Sequence, residues 1–537
     1  MEELESILDR ALSGPLDEAE HKKLKAALGT LGFVLQELDQ KRTSLVRLRK
    51  LLFGSGSEKT RNVLGEEPDA EDAAAQPQTD GASESDEGDK PKRKGHGRNG
   101  AGAYTGAEQI KISHDSLHPG DSCPKCPKGK VYPLREPRVL VRITGQAPLN
   151  AKVFELERLR CNLCGEVFTA TPPSGVGDQK YDARSASMIA LLKYGSGLPF
   201  NRLAGLQGNL GIPLPPATQW QIVSEYARDL TPAYEELIRQ AASGEVLHND
   251  DTTLKILELE DPKRRAEVFA EGSPERTGVF TSGIVSVAGE RKIALFFSGP
   301  KHAGENLERV LRERSSELGP PIQMCDALSR NVAGDFKTIV ANCLVHARRN
   351  FVDVVENFPA ECKHVLETLE QVYEVDAEAR TRQLSKLERL RLHQRRSRPL
   401  MDELAKWLQE QFDEKKVEPN SGLGDAITYM QTHWKKLTRF LRDAGAPLDN
   451  NVVERSLKKA ILHRKNSLFY KTMNGARVGD LFMSLVHTCE LSGVSAFEYL
   501  TALGEHRGHL ARQREAWLPW NFAETLARLR RPEEAPN

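Results

Sequence analysis

From Glu245 to Phe351 the sequence alternates strand-like and helix-like stretches in an order that few folds accommodate. "EVLHNDDTTLKIL", "GVFTSGIVSVAG" and "KIALFFSG" read as three strands, the last two at hairpin distance, and "GENLERVLRERSSE" as an amphipathic helix. "PPIQMCDALSRN" follows as a fourth strand ending at Asp326, and "KTIVANCLVHARRNF" as a fifth that runs into a helix. Acids stand at two telling places, Asp250 and Asp251 on the first strand and Asp326 at the end of the fourth.

Three strands, a helix, a strand, a helical link and a strand is the order of a ribonuclease H-like sheet. In that order the first and fourth strands are neighbours, so their acids fall side by side. A third acid has to come from a helix packed after the fifth strand. There the chain inserts about a hundred mostly helical residues and returns at "LDNNVVERSLKKA". Asn451-x-x-Glu454 in that stretch reads first as a helix-start box, in which Asn caps backbone amides and Glu reaches back. Glu454 stands on the ridge Asn450, Glu454, Lys458, beside a face of Val453, Leu457 and Ile461 expected to be buried. Three converging carboxylates can hold two Mg²⁺ (or Mn²⁺) ions for an in-line displacement at phosphorus. The expected ligands and catalytic groups are therefore Asp250, Asp326 and Glu454, each of which taken alone also serves as an ordinary turn or helix cap.

The chain has 537 residues and a formal charge of zero, so several domains are expected and a neutral total has to be located along the sequence. From Glu66 to Asp89 there are ten acids and no Lys or Arg, leaving +10 on the remainder. That acidic run reads as a disordered tether. Arg348 and Arg349, then Arg455, Lys458, Lys459, Arg464 and Lys465, flank the acids, and from Arg380 to Arg398 eight basic residues face one acid. Such clustering in one half suits a phosphodiester polyanion, with DNA the natural candidate. No apolar run approaches the roughly 20 residues of a membrane span and the opening "MEELESILDR" lacks an export signal, so a cytoplasmic protein without a membrane partner is expected.

Two Cys-x-x-Cys pairs, Cys123 with Cys126 and Cys161 with Cys164, are separated by 34 residues, a spacing that predicts one structural Zn²⁺ in a Cys₄ ribbon. Leu24, Leu28, Leu31, Leu35, Leu38, Leu45 and Leu52 form a heptad seam, which predicts a homo-oligomer, a dimer or higher, through a coiled coil. "KPKRKGHGRNG" reads as a phosphate-contacting arm or a solvated connector. Between Ala183 and Leu230, helices broken by "GSGLP" and "GIPLPP" have a helix-turn-helix cadence whose last member carries Gln219, Trp220 and Gln221.

"LRKLLFGSGSEK", the cysteine knuckles, "HNDDTT", "CLVHARRNF", "DNNVVERSLKKAILHRKNSLF" and "LSGVSAFEYL" together resemble the insertion sequence 66 family of bacterial DDE transposases, over roughly Leu45 to Leu500. The resemblance implies a leucine-zipper start, a zinc-binding domain, a helix-turn-helix region and an interrupted ribonuclease H-like core, with the triad on Asp250, Asp326 and Glu454. It also implies double-stranded DNA partners (element ends and target), accessory proteins of the same element, and a bacterial, nucleoid-associated setting. Cys343 with His346 resembles the Cys-x-x-His signature of many DDE transposases and is read as structural, for want of further ligands. The chain departs from the family at Asp250-Asp251-Thr252, where Asp251 competes as ligand, and at Asp326-Ala327-Leu328, where Asp335 is a fallback. Strand alternation points only one of Asp250 and Asp251 inward, with Asp250 preferred.

The expected architecture is thus multidomain α+β. It comprises a coiled coil at 1–60, an acidic then basic linker at 61–100, a Cys₄ zinc-binding domain at 101–175 and a helix-turn-helix-like region at 176–243. The catalytic core is expected at 244–350 and 446–505, with a helical insertion at 351–445 and a C-terminal tail at 506–537. The expected activity is metal-dependent cleavage at element ends and strand transfer. Rival expectations are a decayed or repurposed DNA-binding scaffold, and a nuclease of the same fold that cuts without joining. Tyr470 beside Lys471 is the best nucleophile for a recombinase of another kind.

Overall fold

The structure, a computed structural model, describes residues 148–160, 167–174, 179–269 and 278–530, with Arg276 and short pieces between 116 and 132. The heptad seam, the acidic run, the basic arm and Cys123, Cys161 and Cys164 lie outside the described residues. The described pieces between 116 and 132, with Pro148, belong to one unit. Within it Ser122 bridges Lys130 in antiparallel fashion, and the chain doubles back around the exposed Cys126.

The remaining described residues belong to a second unit. Strand β1 (Arg158–Arg160) pairs antiparallel with β2 (Val167–Thr169). Helix α1 (Ala183–Ala190) starts where Asp182 accepts the amide of Ser185 at 2.8 Å, an N-cap its short acidic side chain favours. A glycine-bearing break leads to α2 (Phe200–Asn209), and a proline at the first helical position opens α3 (Pro216–Ala241). Gln219 lies inside this corner, its amide donating to the carbonyls of Phe200 (3.0 Å) and Leu214 (2.9 Å). Gln221 is exposed and bonded to Glu225, and Trp220 is half-buried. Val223, Leu230 and Leu237 of α3 are fully buried in a cluster that also takes in Leu295 and Phe296 of the sheet.

That sheet is built from β3 (Val246–Thr253), β4 (Phe280–Ala288), β5 (Arg291–Gly299), β6 (Ile322–Cys325) and β7 (Ile339–Asn342). Its order is β5-β4-β3-β6-β7, with β3 antiparallel to β4 and parallel to β6. The first and fourth strands are therefore adjacent, as the order of elements in the sequence requires. Strand β3 ends earlier than the apolar pattern predicts, because Ile256 leaves the sheet to bridge Tyr470. A short helix, α4 (Pro262–Phe269), then precedes β4 and is invisible as an apolar period in so charged a stretch. Helix α5 (Ala303–Leu311) links β5 to β6, and α6 (Leu344–Val354) follows β7.

The insertion is helical, comprising α7 (Pro359–Thr381), α8 (Lys386–Asp413) and α9 (Gly422–Leu437). Its apolar faces join Met324, Ala341 and Phe351 in a second core at the β6–β7 side of the sheet. Helix α10 (Asn451–Ser467) then lies on β3 and β4, and α11 (Met473–Leu491) covers the free edge of β5. Asp480, Ser484 and Thr488, spaced by four on α11, accept the amides of Ser298 (2.7 Å), Phe296 (2.9 Å) and Ala294 (3.1 Å). A polar ladder on a helix thus satisfies donors that an open sheet edge would leave free. Helices α12 (Ala496–Glu505), α13 (Arg507–Leu510) and α14 (Phe522–Arg530) close the chain around the buried Trp517. Among the described residues no helix is long and apolar enough to cross a membrane.

The seat of α10 depends on Gly283, the residue directly opposite Asp250 in the β3–β4 register. A Cβ there would stand 2.9 Å from Leu457 Cδ2 and 3.2 Å from Val453 Cγ2, so only glycine lets the helix come this close. The buried stripe of α10 is Val453, Ser456, Leu457, Ala460 and His463. It therefore turns through Ala460, while the expected Ile461 is half-buried. Gly283→Val is expected to lower stability by about 1–3 kcal/mol through overpacking, even though valine is the better strand former. Urea denaturation measures this, and an unchanged midpoint would mean that α10 does not seat on Gly283.

Candidate active site

Alternation along β3 sends Asp250 and Asp251 to opposite faces of the sheet. Asp250 shares its face with Gly283 and therefore lies under α10. On the α5 side, Asp251 Oδ2 sits 2.9 Å from Nδ1 of His302, the residue that precedes α5. Asp335 is exposed on that side too, its backbone amide donating to Glu308 of α5 at 3.1 Å.

Asp326 follows β6 directly, at the strand end that lies beside β3. Asn331, almost fully buried, joins the two carboxylates: its Nδ2 donates to Asp326 Oδ1 at 2.7 Å and reaches Asp250 Oδ1 at 3.4 Å. Its own carbonyl accepts from the side-chain amides of Asn249 (2.7 Å) and Gln323 (2.8 Å), which fixes the turn after β6. Sequence reasoning gave Asn331 no part, because an asparagine in a turn is the most ordinary of observations. Its role shows only once the strand order brings Asp250 alongside.

Helix α10 enters through Asn450, and here the helix-start reading is corrected. The N-cap position is Asn450, it makes no side-chain bond to the helix amides, and the amide of Asn451 is taken by Asp449 at 3.1 Å. Asn450 instead reaches the sheet, donating from Nδ2 to the Asn249 carbonyl (3.0 Å) and accepting at Oδ1 from His248 Nδ1 (3.0 Å). Burial pulls His248 down to about 4, so its ring is neutral at physiological pH and carries the single proton this bond needs. The amide of Asn450 donates to Cys343 Sγ at 3.2 Å. Glu454 sits one turn further on, half-buried, with Oε1 buried and without a hydrogen-bond partner. It is not spent on capping.

Burial above all, and then the charges of Asp326, Asp251 and Glu454, push Asp250 up to about 7, against an opposing bond from the Asp251 amide (2.8 Å). Crowded hard oxygens with an unpartnered carboxylate nearby fit a divalent cation of the Mg²⁺ class, which takes carboxylates readily. Glu454 has other neighbours as well. Cys343 Sγ, a ring nitrogen of His346 and a Glu454 carboxylate oxygen all lie within 4.8 Å of one another, a group that does not include Asp250 or Asp326. The Cys-x-x-His pair therefore has a further ligand within reach, which corrects the reading that it has none. Burial pushes the Cys343 thiol up to about 12.

Of the basic residues, Arg455, Lys458 and Lys465 are exposed on α10. Lys459 is paired with Glu490 at 2.8 Å, and Arg464 is bonded to Thr252 Oγ1 (3.1 Å), Thr253 Oγ1 (2.8 Å) and the Thr253 carbonyl. Arg348 and Arg349 are half-buried at the middle of α6. Tyr470 is buried, its hydroxyl held far above the ordinary range by desolvation, which removes it as a nucleophile.

Residues 179–478 match the sequence profile described as "Transposase IS66 family". Three proteins of Sinorhizobium fredii (strain NBRC 101917 / NGR234), each described as uncharacterized, are similar to this chain. The one called y4jD is 28% identical over 68% of this chain and 71% of its own length. The one called y4qI is 25% identical over 81% and 79%, and y4hP is 24% identical over 78% and 77%.

The upward shift of Asp250 carries a sign. Between its ordinary 3.8 and about 7 the folded chain keeps a proton that the unfolded chain has lost, so Asp250 makes stability fall across that window, with the full penalty above it. In chelator, Asp250→Asn is therefore expected to raise the melting temperature by an amount that grows from pH 4 to pH 7 and then levels off, and adding Mg²⁺ should shrink the gain. A gain independent of both pH and Mg²⁺ would contradict this electrostatic account.

Proposed function

Because the chain belongs to the IS66 transposase family, we propose that it cleaves phosphodiesters at the ends of its element and joins the freed 3′-hydroxyls to target DNA, by a DDE mechanism. The observation that carries this reading is the juxtaposition of Asp250 and Asp326 across adjacent parallel strands, bridged by Asn331, with Glu454 on the helix over Asp250. The sheet order supports a ribonuclease H-like core.

Asp250 on β3 and Asp326 just after β6 supply two carboxylates, and Glu454 on α10 a third. Magnesium bound among them would favour the attacking oxygen and stabilise the leaving oxygen of an in-line displacement. Asn331 holds the two aspartates against their mutual repulsion, and the seat of α10 on Gly283 sets how far Glu454 reaches. Asp251 and His302, on the other face, brace β3 against α5. Exposed Arg455, Lys458 and Lys465 would contact phosphates, while Lys459 and Arg464 anchor α10 to its neighbours. The Cys₄ ribbon at Cys123, Cys126, Cys161 and Cys164 with its Zn²⁺, and the zipper that would pair subunits, complete the proposal, as does nucleoid association. Accessory proteins of the same element belong to it too.

A non-catalytic scaffold has one observation in its favour, the grouping of Glu454 with Cys343 and His346 apart from the two aspartates. The test is Glu454→Gln on DNA carrying the element's ends. The proposal predicts loss of Mg²⁺-dependent cleavage and strand transfer by about 10³-fold or more, as befits an interaction made in the transition state, with folding and end binding kept. A native chain that binds ends but neither cuts nor joins would favour the scaffold, and one that cuts without joining pre-cleaved ends would favour a nuclease.

A further inference from the structure

We propose that Cys343, His346 and Glu454 form a second metal site, of the Zn²⁺ class, which shares Glu454 with the carboxylate centre and holds that centre inactive when filled. The ligand atoms already lie within 4.8 Å of one another. Zinc ligands at about 2.0–2.3 Å stand roughly 3.5 Å apart around a tetrahedral ion, so small side-chain movements close the set. Two of the three show the signature of missing partners: His346 Nδ1 and Glu454 Oε1 are both buried with no hydrogen bond. A buried polar atom without a partner is costly and calls for an explanation.

Burial disfavours a free thiolate at Cys343, so a bound metal would have to displace its proton, and two local features favour the thiolate that results. Cys343 is the N-cap of α6 and His346 stands in its first turn, where the helix dipole favours negative charge. The Asn450 amide already donates to Sγ at 3.2 Å, the kind of outer bond that orients a metal-bound thiolate. On binding, the Sγ–H bond breaks, its proton leaves to solvent, and the sulfur lone pair goes to the metal. Three protein ligands leave a fourth position open.

The donor sets separate the two metals. Sulfur, nitrogen and one oxygen select zinc over magnesium, whereas Asp250 and Asp326 offer oxygen alone. Glu454 cannot serve both centres, so zinc in one and magnesium in the other are negatively coupled. Coupling of this kind is typically about 5- to 150-fold. The regulatory half of this inference rests on the DDE reading, while the binding half stands without it.

Equilibrium dialysis with Zn²⁺ alone tests the binding half on the full chain, comparing wild type with Cys343→Ser and His346→Asn, with circular dichroism to confirm folding. Both variants are expected to hold one zinc equivalent fewer than wild type, the cysteine knuckles contributing equally to all three. Co²⁺ as a probe should lose a thiolate charge-transfer band in Cys343→Ser. Equal zinc content in folded wild type and both variants overturns the site. The regulatory arm measures Mg²⁺-dependent cleavage with and without micromolar Zn²⁺, each variant against its own zinc-free rate. Inhibition confined to wild type supports the shared ligand, and equal inhibition in all three overturns it. Absence of any cleavage by wild type without zinc would sink the transposase mechanism but leave the dialysis result standing.

Discussion

The side chain of Asn450 is the point on which the site turns. Fully buried, it bonds to the Asn249 carbonyl and the His248 ring on β3, while its backbone amide meets Cys343 at the start of α6 and its carbonyl accepts from Glu454. Three elements far apart in sequence are thereby locked together one helical turn before Glu454. Loss of such a buried, fully satisfied network costs more than its separate bonds, because each partner is left unpaired in a low dielectric. Gly283 completes the constraint from the sheet side by admitting Val453 and Leu457 where a side chain would stand.

What that frame holds is charge under tension. Asp250 is repelled by Asp326, Asp251 and Glu454 in a partly desolvated setting, and Asn331 offers only a neutral amide between the two aspartates. A cation resolves such crowding more effectively than any hydrogen bond the fold supplies. Asp251 is drawn off by His302, so alternation along a single strand leaves one carboxylate under α10 and sets the other against α5. Glu454, on a helix rather than a strand, stands within reach of Cys343 and His346 and still adds to the charge that raises Asp250.

The strands were legible because β4 and β5, nine residues each, have apolar centres with clear breaks, and β3 opens on Val246 and Leu247 before its polar half; their order alone made β3 and β6 neighbours. Alternation also separated Asp250 from Asp251. Local patterns failed where long-range bonds decide. The asparagines heading α10 look like caps in sequence, yet Asn450 answers to β3, a partner 201 residues away. Gln219, on the last helix of the helix-turn-helix cadence, is a buried brace. Asn331 carried no signal at all, and the third ligand near Cys343 and His346 appears only when α10 is laid beside α6. The coiled coil, the linker and three of the four knuckle cysteines lie outside the described residues, so those expectations stand as the sequence left them.

The central claim is that Asp250, Asp326 and Glu454 hold one divalent-cation centre. Crystals grown in Mn²⁺ without zinc, measured at the manganese absorption edge, test it most directly. The account predicts anomalous density with oxygens of all three residues at about 2.0–2.6 Å, the range of hard cations on carboxylates. Density on Asp251 or Asp335 instead, or a manganese held by the aspartates while Glu454 stays beside Cys343 and His346, would contradict it.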